Sequence, residues 1–134
     1  MKYMLMMNAK RASGGGDWQI MNWAPEDLKA HIGFMMRFSG ELKKSGNLVG
    51  AEGLAEPSQA RIVRAGSNGA PEVTDGPFAE SKEFLAGYWI VDVESQQEAY
   101  DIAARASAAP GPGGAPMNMP IEVREVMSGP PPTD

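Results

Sequence analysis

The stretch from Phe84 to Val93 limits most strongly what this chain can fold into. On strand alternation Phe84, Tyr88 and Ile90 point one way, and Leu85, Trp89, Val91 and Val93 point the other. A strand that is apolar on both faces must be covered on both, so this one is predicted at the centre of a sheet. Residues 2–8 have the same character, with Tyr3, Leu5 and Met7 on one side and Met4 and Met6 on the other.

The intervening segments carry clear helix and turn signals. Pro25-Glu26-Asp27 opens a helix: proline suits the first helical position, and early carboxylates suit the positive end of the helix dipole. Leu28, Ile32, Met35, Ser39 and Leu42 follow helical spacing, and Phe34 and Phe38 widen that stripe. Lys43-Lys44 and Gly46 end it, with glycine available for a left-handed cap. Leu48 to Leu54 reads as a strand. Residues 61–64 and 72–74 read as the arms of a hairpin, with Asn68-Gly69 in its loop. Ser95-Gln96-Gln97-Glu98 is a capping box ahead of the narrow stripe Ala99, Ile102, Ala103, Ala106. Ile121, Val123 and Val126 mark a last strand.

The order is therefore β, α, β, a hairpin, β, α, β. It predicts an α+β fold, a ferredoxin-like antiparallel sheet with two helices on one face and a final strand added. Two helices cover only one face of such a sheet, so the other is expected to meet a second copy in a homodimer. The alternative is that loops such as residues 9–24 fold over it.

Length and composition bound the rest. With 134 residues the chain is expected to form a single domain over 1–127, followed by a loose, extended tail over 128–134 rich in proline. There are no cysteines, which excludes disulfides, thiolate catalysis and cysteine-based metal sites. A net charge of −5 disfavours nucleic acid as a partner. No apolar run approaches the ~20 residues of a membrane span, and the apolar start is too short for a signal peptide. A cytoplasmic location, with no membrane partner, is expected. The triple glycine at 14–16 is not followed by the Gly-Lys-Ser/Thr ending of a phosphate-binding loop, and there is no dinucleotide fingerprint. His31, the one histidine, reads as a helix-surface or packed residue rather than a metal ligand. No cofactor is expected.

The chemistry-bearing residues cluster after the hairpin. Asp75 lies at a strand end, where desolvation in a pocket would suit it to general-base work. Equally, its carboxylate can accept backbone N–H bonds in a turn shaped by Gly76 and Pro77. Lys82 and Glu83 can hold an anion and move a proton, or form a solvated ion pair worth under ~1 kcal/mol. Phe78 is a candidate pocket wall, as are Tyr3, Tyr88 and Trp89, although such aromatics also serve cores and interfaces. Glu52, near Gly53 at a strand end, is a further candidate for the cavity.

The run Val73-Thr74-Asp75-Gly76-Pro77-Phe78-Ala79-Glu80-Ser81-Lys82-Glu83, followed by Gly87-Tyr88-Trp89-Ile90-Val91-Asp92-Val93, resembles the signature of the DGPF group of YCII-related proteins. Met1-Lys2-Tyr3-Met4-Leu5, Pro25-Glu26, Gly53-Leu54 and Ile121-Glu122-Val123-Arg124 extend the resemblance over nearly the whole chain except the tail. It implies a ferredoxin-like fold and a dimer in which two sheets form a shared α/β barrel. That architecture also houses muconolactone isomerase-like enzymes and cofactor-free monooxygenases. The resemblance does not imply a reaction. The founding branch has a first-helix histidine proposed to work with an aspartate. The matching position here is about Met36, and His31 lies about 140° round the helix from it, so that dyad is not carried over. Two classes of function follow. One is a small-molecule enzyme using carboxylate acid–base chemistry in a dimer cavity, with Asp75, Lys82 and Glu83 as catalytic groups and Gly76, Pro77, Phe78, Glu52, Tyr3 and Trp89 around the substrate. The other is a non-catalytic ligand-binding or regulatory module, of the kind found near transcription sigma factors.

Overall fold

The computed structural model describes residues 1–10, 23–78 and 82–132. The triple glycine, the Ala79-Glu80-Ser81 part of the signature run and the last two residues lie outside them. In chain order the elements are β1 (Lys2–Lys10), α1 (Pro25–Ser45), β2 (Leu48–Gly53), β3 (Arg61–Ala65), β4 (Pro71–Asp75), β5 (Glu83–Asp92), α2 (Gln96–Ser107) and β6 (Ile121–Glu125). Four strands form an antiparallel sheet in the order β2-β5-β1-β6, and β3 and β4 pair separately as a hairpin. This is the ferredoxin-like arrangement. Its last strand is no appendage: β6 is the edge strand beside β1, and the inserted piece is the hairpin.

The long strand is central, as its two apolar faces require. Tyr3 and Leu5 of β1 stand beside Val91 and Trp89 of β5, and Ala51 of β2 and Val123 of β6 extend the same face. Phe38 and Leu42 of α1 and Ala99, Ile102, Ala103 and Ala106 of α2 pack on it in one buried cluster. Leu5, Val91 and Phe38 are fully buried, and each such side chain stabilises the fold by about 1.5–3 kcal/mol. On the opposite face Met4, Met6, Tyr88 and Ile90 are half-buried, with no described helix over them.

Both helices end as their sequences direct. Gly46 closes α1 in the left-handed conformation at φ 83°, with Asn47 N–H donating to the Leu42 carbonyl at 3.0 Å. At the start of α2 the Ser95 hydroxyl accepts from Glu98 N–H at 3.2 Å. The Glu98 carboxylate reaches one residue further back than a capping box has it, accepting from Glu94 N–H at 2.9 Å. Ser95→Ala should lower stability by about 1 kcal/mol in urea denaturation. An unchanged midpoint would mean that Glu98 alone sustains the helix start.

One irregularity changes which side chains share a face. Met7 pairs with Gly87 and Asn8 with Leu85, so Ala86 is an extra residue, a β-bulge in β5. Beyond it the alternation inverts. Leu85 joins Asn8 on the open face, where Asn8 bonds Glu122 at 3.2 Å. Phe84 pairs with the buried Ala9 and turns to the helix side, opposite to the side that uninterrupted alternation predicts.

Candidate functional site

The helix side is not filled along its whole length. Between the first half of α1 and the ends of β2 and β5 lies a cavity of about 510 Å3, within the size range of small-molecule sites. Ile32, Met35 and Met36 line it from α1, Met7 from β1, and Phe84, Gly87 and Trp89 from β5. The bulge at Ala86 is what delivers Phe84 to this wall. Gly87 allows the neighbouring backbone to come close: a β-carbon there would sit 2.9 Å from the Glu52 carbonyl oxygen.

His31 is the polar ring in this wall. It is only 6% exposed, and its Nδ1 lies 3.0 Å from the Pro110 carbonyl oxygen. A carbonyl only accepts, so Nδ1 carries the hydrogen and donates, and a neutral ring then presents Nε2 as an acceptor. Trp23 packs edge-on against the ring, with centroids 5.4 Å apart. Among the described residues Nε2 has no hydrogen-bond partner, yet no enclosed side-chain nitrogen or oxygen there lacks one. Nε2 is therefore open, and the ring lines the cavity.

The loop after α2 holds the Pro110 carbonyl in place. Pro110 bridges to Pro116, Gly111 N–H donates to the Ala115 carbonyl at 2.7 Å, and Met117 N–H donates to the Ala109 carbonyl at 2.9 Å. Gly113 and Gly114 take positive φ at 71° and 80°, which tightens the turn. The proline- and glycine-rich segment is thus an ordered clamp on the histidine.

A second groove, of about 450 Å3, runs between the base of the hairpin and the start of β5. Pro77, Phe78, Glu83 and Leu85 line it. It shares Leu54, Ala55, Glu56 and Phe84 with the first cavity, so the two hollows are contiguous.

The residues singled out from sequence fall in several places. Trp89 and Glu52 line the first cavity, although Glu52 pairs with Tyr88 and so belongs by register to the open face. Pro77, Phe78 and Glu83 line the second groove, and Phe78 is 62% exposed. Gly76 packs on the hairpin base, its N–H donating to the Ala60 carbonyl at 2.9 Å. The Asp75 side chain is 95% exposed and lies 3.7 Å from Arg61 Nε across the hairpin. Lys82 is exposed. Asp75, Lys82 and Glu83 do not converge on one another in the larger cavity. Met36 is 71% exposed at the cavity's edge. The sequence reads His31 as a helix-surface or packed residue, not as part of a site. The bond that fixes its ring spans 79 positions, and no local pattern announces it.

Tyr3 lies elsewhere, buried on the helix side of β1. Burial raises its pKa above 10.0, and the charges of Glu125 and Tyr100 add to the effect. A raised folded-state pKa means that the native state holds the proton longer than the unfolded chain. The contribution is complete below the ordinary tyrosine value and is lost as pH rises beyond it. Melting temperature should therefore fall less steeply above pH 10 in Tyr3→Phe than in the parent chain. Parallel curves for the two would remove Tyr3 from the alkaline transition.

The chain matches the YCII-related domain over residues 1–115. It is 43% identical over 53 residues to an uncharacterized protein of Rhizobium meliloti (strain 1021), a match covering 40% of this chain and 43% of that protein. The chain thus matches less than half the length of that curated relative. The order β2-β5-β1-β6, the signature run leading into β5 and the domain match agree, and the chain belongs to the YCII-related family.

Proposed function

We propose that this protein binds a small organic molecule in the cavity between α1 and the β2–β5 edge, with His31 as the group that accepts or exchanges a proton. It does so as a homodimer in which a second copy covers the open face of the sheet. The observation that carries this reading is the combination of an apolar hollow with one buried imidazole, fixed on one nitrogen and open on the other. Apolar walls supply affinity, and a fixed polar group supplies orientation. Chemistry at such a site is proton transfer, because a clamped imidazole is a ready acid or base. The homodimer is supported by the apolar strip Met4, Met6, Tyr88 and Ile90, which no described helix covers.

The methionines provide the test. Met7, Met35 and Met36 line the cavity, whereas Met4 and Met6 lie on the opposite, open face of β1 and outside that lining. With methyl-labelled methionine, a library of one- and two-ring compounds should contain ligands that shift the first three signals and leave the other two in place. Hits that move only Met4 and Met6 would put the binding site on the open face instead. For catalysis, any turnover found with such a ligand should fall at least 100-fold in His31→Gln.

A second reading keeps Glu83 as the proton-transferring carboxylate, with Asp75 and Lys82 beside it in the assembled site. It is favoured by the position of Glu83 on a groove contiguous with the cavity. Under that reading Glu83→Gln, and not His31→Gln, abolishes turnover.

A further inference from the structure

The groups around the cavity select for charge as well as for size. Among the described residues no lysine or arginine lines it, and of the two glutamates in the lining Glu52 belongs by register to the open face while Glu56 is exposed. The whole chain carries a net charge of −5, which adds to a field repelling anions. A bound carboxylate or phosphate would find no cation among the described lining residues and would lose its hydration against apolar walls.

The histidine narrows the choice further. Its Nδ1 hydrogen is committed to the Pro110 carbonyl, so the neutral ring offers the ligand a lone pair at Nε2 and no hydrogen. A ligand group that can only accept, such as a ketone or an ether, gains nothing there. A hydroxyl can donate. The rest of the wall, including Ile32, Met36, Phe84 and Trp89, matches a hydrocarbon body.

Resting on the reading of this cavity as the binding site, we infer that its ligand is a neutral aromatic or aliphatic alcohol. The hydroxyl of that ligand donates to His31 Nε2, and its apolar body lies between α1 and β5. Phenols are the best fit, since a flat ring suits the space between Trp89 and the α1 methionines, and their hydroxyl is a good donor.

Four probes of one shape test this on the full chain: 1-naphthol, 1-methoxynaphthalene, 1-naphthoate and 1-naphthylmethylammonium. The chain has one histidine, so nitrogen-15 signals from histidine-labelled protein belong to His31. At a pH where the ring is neutral, and before any addition, Nδ1 should give the signal of a protonated ring nitrogen and Nε2 that of an unprotonated one. Naphthol should move the Nε2 signal and bind about five- to tenfold more tightly than its methoxy analogue, the advantage expected of one net hydrogen bond. Naphthoate should leave the histidine signals unchanged.

Equal binding of naphthol and the methoxy compound, tighter binding of naphthoate, or tightest binding of the ammonium would each overturn the inference while leaving the cavity as the site. If no probe shifts either the histidine or the methionines of the cavity, both the inference and the binding reading fall. The reverse tautomer in the free protein would overturn the inference alone.

Discussion

Replacing Phe38 by alanine should lower stability by about 3–5 kcal/mol and reduce the melting temperature by on the order of 10 °C. Phe38 is 2% exposed and sits where three elements meet. Its ring stacks on Phe34 with centroids 5.9 Å apart and meets Trp89 edge-on at 5.6 Å. The Arg105 guanidinium lies 5.1 Å from its centroid, tying α2 to α1. Arg105 is itself ion-paired with Glu41, so the cation has little freedom to collapse into the space left behind. Truncation removes the transfer energy of the ring, two aromatic contacts of about 0.5–1.5 kcal/mol each, and leaves a void that rigid neighbours fill poorly. Against a total of about 5–15 kcal/mol for a domain, that is a large fraction. Denaturant unfolding at one fixed protein concentration measures it, since association would otherwise contribute. A loss below ~1 kcal/mol would contradict the packing of α1 on β5 described above.

The second large effect is on assembly. The parent chain should run as two copies in native mass spectrometry, and Ile90→Asp should run as one. Ile90 stands on the open face beside Met4 and Gly50, in the middle of the sheet. By two-fold symmetry one substitution enters the interface twice. At about 3 kcal/mol for each buried, unpaired carboxylate, the dimer would weaken by about 6 kcal/mol, roughly 10^4-fold. In an isolated chain the same carboxylate would face water at little cost, so circular dichroism should be almost unchanged. A parent chain of single mass at micromolar concentration would end the dimer proposal. So would an Ile90→Asp chain that stays paired.

The two effects separate the faces of one strand. Trp89 and Val91 hold the helices, while Tyr88 and Ile90 face away from them. Alternation along β5 made that division readable without coordinates, because strand period 2 is a property of the backbone itself. The same rule misplaced Phe84, because the bulge at Ala86 inserts a residue and inverts the count. The first face carries the cavity, so this single irregularity also decides which aromatic ring enters the site.

The features legible in the sequence are local. The proline and acidic start of α1, its Gly46 cap, the Ser95 start of α2, the hairpin and the two-faced central strand all follow from patterns a few residues long, and so does the family signature. The ferredoxin-like plan follows from the element sequence, whereas the place of β6 at the edge beside β1 shows only in the fold. Which distant groups meet is settled by the folded chain. His31 and Pro110 are joined across 79 positions, and the signature's Asp75 is turned to solvent beside Arg61 while Glu83 reaches the groove next to the cavity. Backbone propensity and periodicity act within a turn or a strand. The environment of a side chain, by contrast, is set by register, bulges and loop closures that bring remote segments together, and those are fixed only when the whole core packs.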